Sequence, residues 1–86
     1  MVARGLGGIA VIEERETASS VTEDDCESQW VPYSRLGCRF RLVVPLDQVV
    51  LAQRFIHRNQ LSVTLQAYTI SGNNVNFFDS LGNRIA

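Results

Sequence analysis

His57 is the only histidine in this 86-residue chain. It is therefore the only side chain whose unperturbed pKa lies near neutrality. A general base needs an orienting partner and a nucleophile or substrate within reach, and no spacing in the sequence specifies either, so His57 reads as a solvated residue near a helix end. Gly5, Gly7 and Gly8 imitate a phosphate loop, but such a loop follows a strand and opens a helix, whereas these glycines stand ahead of the first strand-like run. The carboxylates Glu13, Glu14 and Glu16, or Glu23, Asp24 and Asp25, could meet a hard cation. Neither set has the spacing of a calcium loop, so no metal or other cofactor is expected.

The two cysteines, Cys26 and Cys38, are too few for a disulfide scaffold. Without a CxxC or Cys/His cluster they are also too few for zinc. They are expected reduced, with a bridge open to them only if the intervening segment folds back. Trp30, Tyr33, Phe40 and Arg39 are the residue types that dominate binding hot spots. Trp30, Tyr33, Arg39 and His57 therefore form the candidate ligand surface, set against the plainer reading of Trp30 and Phe40 as core.

Charge is unevenly placed. Glu13, Glu14, Glu16, Glu23, Asp24, Asp25 and Glu27 fall in the first third, against Arg4 and Arg15, while Arg35, Arg39, Arg41, Arg54, Arg58 and Arg84 follow. Lysine is absent, and arginine pairs with carboxylates as a planar fork that lysine cannot match. Codon bias in a GC-rich gene explains the arginines simply; the sharper expectation is that the acidic part lies against the basic remainder, within or between subunits. The net charge of −1 argues against general nucleic-acid binding. No apolar run approaches the ~20 residues of a membrane helix, and no long apolar leader is visible. A small soluble cytoplasmic protein is expected.

The elements that must position these residues follow from periodicity. The length suits one domain, 1–86, with residues 1–8, rich in glycine, expected loose. Residues 9–16 read as a strand. For 21–31 two readings stay open. Thr22 followed by Glu23, Asp24 and Asp25 suits a helix start, with Val21 and Cys26 as a hydrophobic staple. Alternatively Cys26–Val31 is a strand entering a hairpin, with Cys26 opposite Cys38. The balance tips to the strand because Gln29-Trp30-Val31 runs into Pro32.

Residues 37–44 form a firmer strand, with Cys38, Phe40 and Leu42 alternating with Arg39, Arg41 and Val43. Asp47 is a candidate N-cap for a helix over about 48–58, stapled by Leu46 and Leu51, with Val49, Ala52, Phe55 and Ile56 facing a sheet and Asn59 as the stop. Leu61–Ile70 and Val75–Phe78 form a hairpin around Gly72-Asn73. Its register pairs Ile70 with Val75 and Tyr68 with Phe77, and sets Val63, Leu65 and Ala67 on the other face with Phe78. Both faces are then apolar, and one helix can cover only one.

The fold expected is α+β: a small, mainly antiparallel sheet of about four or five strands with one principal helix on one face. A small all-β barrel is the alternative. No set of groups points to an enzyme. The expectation is a non-enzymatic binding module that self-associates, as a dimer first, through Tyr68, Ile70, Val75 and Phe77, with pairing of sheet edges as one route. The alternative is a small-molecule binder or small enzyme with a pocket between helix and sheet involving His57.

Overall fold

The computed structural model describes residues 2–4 and 10–85, and the side chains of 11–85. Five strands stand in chain order: β1 (Val2–Arg4), β2 (Ala10–Arg15), β3 (Arg39–Pro45), β4 (Thr64–Ser71) and β5 (Asn74–Asp79). The β1–β2 and β4–β5 pairs are antiparallel, and the two central pairs, β2–β3 and β3–β4, are parallel. The sheet is therefore mixed, which corrects the mainly antiparallel expectation, and it is open, which removes the barrel. Of the stretch expected loose, Val2–Arg4 forms β1, and Met1 and residues 5–8 lie outside the described residues.

Two helical crossovers produce the two parallel pairs. Residues 23–34 are helical (α1), so the connection from β2 to β3 is a crossover and not a hairpin turn, and strands joined by a crossover of a dozen or more residues run parallel. Thr22 caps α1, its side chain accepting from the Asp25 N–H at 3.2 Å. Glu23, Asp24 and Asp25 place negative charge on the positive end of the helix. Val21 and Cys26 are both buried, as a staple requires. The reading of Cys26–Val31 as a strand misjudged Pro32. Cys26–Trp30 is a π-helical turn, with Val31 N–H bonding back to the Cys26 carbonyl, and Val31–Ser34 then continues as α-helix. That widened turn directly precedes Pro32, whose ring would otherwise meet the carbonyl four residues back.

The second crossover is α2 (Val49–Arg58), preceded by a 3₁₀ turn, Leu46–Gln48. Ala52 and Phe55 are buried, with Val49 and Ile56 packed beside them, so the expected apolar face is present. The expected cap is not: Asp47 lies inside the 3₁₀ turn and Gln48 holds the N-cap position with no side-chain bond. Leu46 stays 40% exposed, a poor staple. Asn59 ends the helix, and Gln60 takes φ 53°. Leu61 N–H then bonds the Ile56 carbonyl at 3.0 Å and Gln60 N–H the His57 carbonyl at 3.2 Å. This is a Schellman closure with glutamine where glycine is usual.

Both helices lie on one face of the sheet. Ile12, Phe40, Leu42, Val44 and Leu65 from the strands share one buried cluster with Cys26 and Trp30 of α1 and Ala52 and Phe55 of α2. Trp30 meets Phe55 edge-on, ring centres 6.1 Å apart. Glu23 of α1 pairs with Arg58 of α2 at 2.9 Å, and Asn59 donates to both Cys26 Sγ and the Phe55 carbonyl.

Candidate functional site

The other face of the sheet carries no helix. Strand alternation puts Glu13 and Arg15 of β2, Arg39, Arg41 and Val43 of β3, Gln66, Tyr68 and Ile70 of β4, and Val75, Phe77 and Asp79 of β5 on it. The hairpin register is the one the sequence predicts: Tyr68 opposite Phe77 and Ile70 opposite Val75. Gly72 turns the chain with φ +59°, which an L side chain adopts only at a cost. Ala67 and Phe78 pair on the helix side, also as predicted.

This open face divides along the strands. Toward the N-terminal ends of the parallel strands it is charged. Glu13 Oε2 accepts from Arg15 Nε at 3.0 Å, and its Oε1 stands 3.0 Å from Arg41 Nε. The second contact is ionic and not aimed as a hydrogen bond. Acidic β2 thus meets basic β3, and Glu23 with Arg58 likewise joins the acidic first third to the basic remainder.

Toward the C-terminal ends the face is apolar. Tyr68 reaches across β3 and donates to the Glu16 carbonyl at 2.7 Å. Val43, on the same face of β3, is only 1% exposed. The Arg15 guanidinium sits 5.8 Å from the centre of the Phe77 ring, within cation–π range. Ile70 remains 67% exposed and Val75 49%. Two hollows share Tyr68 and Ile70 as a common wall. One, about 480 Å³, is completed by Pro45, Leu46, Asp47 and Thr69. The other, about 240 Å³, is completed by Arg15, Glu16, Thr17, Val75 and Phe77.

Beneath this region lies a buried carboxylate. Glu16 is 5% exposed. Its Oε1 accepts from Trp30 Nε1 at 3.2 Å, and its Oε2 accepts from the Ser20 hydroxyl. Its own N–H bonds the Val43 carbonyl at 2.8 Å. Burial without hydrogen bonds would be costly for this group; here each oxygen has a donor.

The four candidate ligand residues do not form one surface. Trp30 has no accessible surface, which corrects its place in the candidate set. Tyr33 is half-buried, edge-on to Phe40 at 5.8 Å. Arg39 is exposed on the helix-free face. His57 is exposed on α2 and borders a groove of about 440 Å³ with Gln53, Ile56, Gln60, Leu61, Val63, Leu65 and Ser80. No carboxylate, arginine or cysteine lines that groove, so His57 has no charged partner there. Cys26 and Cys38 are both free thiols, one buried and one half-buried. Burial pushes the Cys26 thiol pKa up, and Glu27 and Glu23 add to the rise. Among the described residues no three His, Cys, Asp or Glu side chains gather as metal ligands, and no helix is long and apolar enough to cross a membrane.

Residues that the sequence did not place in this site complete it: Arg15, Glu16, Pro45, Leu46 and Asp47. Their contacts cross up to 52 residues of chain, as from Tyr68 to Glu16, and local patterns carry no trace of them. Compared with protein-family models, curated proteins and solved structures, the chain matches none.

Proposed function

We propose that this chain is a non-enzymatic interaction module that self-associates, as a homodimer, through the helix-free face of its C-terminal hairpin. One observation carries the reading: β2, β3 and β4 form a parallel sheet with helices on one side only. Parallel sheets occur almost only with both faces covered. The uncovered side presents Tyr68, Ile70, Val75 and Phe77 together. Full burial of an aliphatic side chain of this size contributes about 1.5–3 kcal/mol, so Ile70 and Val75 offer a real gain. A net charge of −1 adds little self-repulsion.

Association by face is better supported than pairing at the β5 edge. The C-terminal segment already occupies the outer edge of β5, with Asn83 accepting from Asp79 N–H at 2.8 Å and Ile85 donating to the Phe77 carbonyl at 2.9 Å. A reducing, cytoplasmic setting suits the two unpaired thiols.

Sedimentation velocity across the micromolar range tests the proposal. The expected result is a dimer for the parent chain and a monomer for Ile70→Glu/Val75→Glu that keeps the parent's circular dichroism spectrum, because both side chains are exposed in the single chain; its melting temperature should fall only by what dimerisation contributes. A parent chain that stays monomeric throughout the range overturns it. The alternative of a ligand pocket at His57 has the α2 groove in its favour, but no other ionisable side chain on the groove's lining.

A further inference from the structure

The Tyr68–Ile70 wall has an acid on one side and a base on the other. Asp47 borders the larger hollow and Arg15 the smaller. Asp47 is exposed and makes no ion pair among the described residues. Arg15 is 62% exposed at its side chain and engages Glu13 through Nε. Its two terminal nitrogens are therefore placed to bind a second carboxylate, as the guanidinium fork allows.

We infer that two copies of this chain stack face to face about a two-fold axis running along the Tyr68–Ile70 wall, so that Asp47 of each copy pairs with Arg15 of the other. The inference rests on the self-association proposed above and specifies its geometry. In a two-fold contact, whatever lies on one side of the axis faces what lies on the other side in the partner copy. The larger hollow therefore meets the smaller one twice. The exposed Ile70 of each copy, standing on the axis, packs against Ile70 of the other copy between the hollows, and the acid meets the base at both ends. Like charges would meet if the axis ran across the wall instead, with Arg15 opposite Arg15. That arrangement is disfavoured by several-fold at least, since like-charge juxtaposition in an interface is strongly unfavourable.

A charge-swap experiment tests the geometry. One chain carries Asp47→Arg and another carries Arg15→Asp. Alone, each places two like-charged pairs in its homodimer. The expected result is a dissociation constant about a hundredfold higher for each, roughly tenfold per repelling pair. Mixed one to one, the two chains form a heterodimer in which both contacts are again opposite in sign, and affinity returns to within a few-fold of the parent. Recovery in the mixture also shows that both variants fold.

A parent dimer whose variants dimerise as tightly as the parent, or whose mixture fails to recover, overturns this arrangement and leaves self-association standing. A monomeric parent overturns both. If Arg15→Asp disturbs the fold, a double-mutant cycle of Arg15→Ala and Asp47→Ala on dimer affinity decides the point. Coupling between the two sites is expected, and strict additivity overturns the pairing.

Discussion

The Tyr68 hydroxyl donates to the backbone carbonyl of Glu16 at 2.7 Å, joining β4 to the end of β2 across the intervening strand. The same glutamate holds Trp30 through its side chain at 3.2 Å. The open face and the helix-side core therefore meet at one residue, in the connection between β2 and α1.

Tyr68→Phe separates the phenol's bond from its area. The ring is kept and the hydroxyl lost, and an intramolecular hydrogen bond of this kind contributes about 0.5–1.5 kcal/mol net. Urea unfolding should show a loss of that size. Dimer affinity should change little, because the apolar face is intact.

Glu16 should tolerate glutamine and resist leucine. Glu16→Gln retains an acceptor for Trp30 Nε1, whereas Glu16→Leu leaves that buried N–H without a partner, a penalty of about 1–3 kcal/mol. Trp30 is the only tryptophan in the chain, so its fluorescence reports the change directly. The leucine variant should shift and broaden the emission, and the glutamine variant should not.

The two thiols should react at different rates. Cys38 is half-buried, while Cys26 has no exposed surface and a pKa raised chiefly by burial. Since the thiolate is the reactive form, a disulfide reagent near neutral pH should modify one thiol per native chain. The second should follow only on unfolding.

Gln60→Gly should stabilise the chain. Gln60 holds φ 53° at the Schellman closure of α2, a region that costs an ordinary L residue roughly 1–2 kcal/mol. Glycine removes that cost and loses part of the gain to its freer unfolded state. A net stabilisation of up to about 1 kcal/mol in denaturant unfolding is expected, and any destabilisation would contradict the assignment.

Acid should loosen the turn after β5 before it unfolds the core. The Asp79 carboxylate accepts from the N–H groups of Leu81 and Asn83, both at 2.9 Å. Its pKa is held below the ordinary 3.8, chiefly by the hydrogen bond from the Asn83 backbone. A folded pKa below the unfolded one contributes stability that is present above the unfolded value and lost as pH falls through the folded one. The protection of the Leu81 and Asn83 amides against hydrogen exchange, measured by NMR relative to the intrinsic rate at each pH, should fall as pH drops below 3.8, and Asp79→Asn should reduce that dependence.

Where a contact is local, the residues themselves dictated it. The apolar stripe of Val49, Ala52, Phe55 and Ile56 can be one-sided only as a helix. Gly72-Asn73 between β-branched and aromatic runs fixes the hairpin and its register, and with it the grouping of Tyr68, Ile70, Val75 and Phe77. The cap at Thr22 was equally legible, yet the strand-like Gln29-Trp30-Val31 before Pro32 outweighed it, because a π turn that admits the proline leaves no signature in residue types. With 23–34 helical, the connection is long enough for β2 and β3 to run parallel, as they do. Strand direction was thus beyond periodicity, which is the same for either sense.

Tertiary structure alone decided which sheet face is bare, that Trp30 belongs to the core, and that Glu16 meets both Trp30 and Tyr68. Each depends on the two crossovers placing α1 and α2 on the same side. That outcome rests on contacts between residues far apart in the chain, whose energies are summed only when the whole sheet has formed. The hairpin's two apolar faces were written in the sequence; only packing determined that α2 takes one of them and leaves the other, flanked by Arg15 and Asp47, without a helix over it.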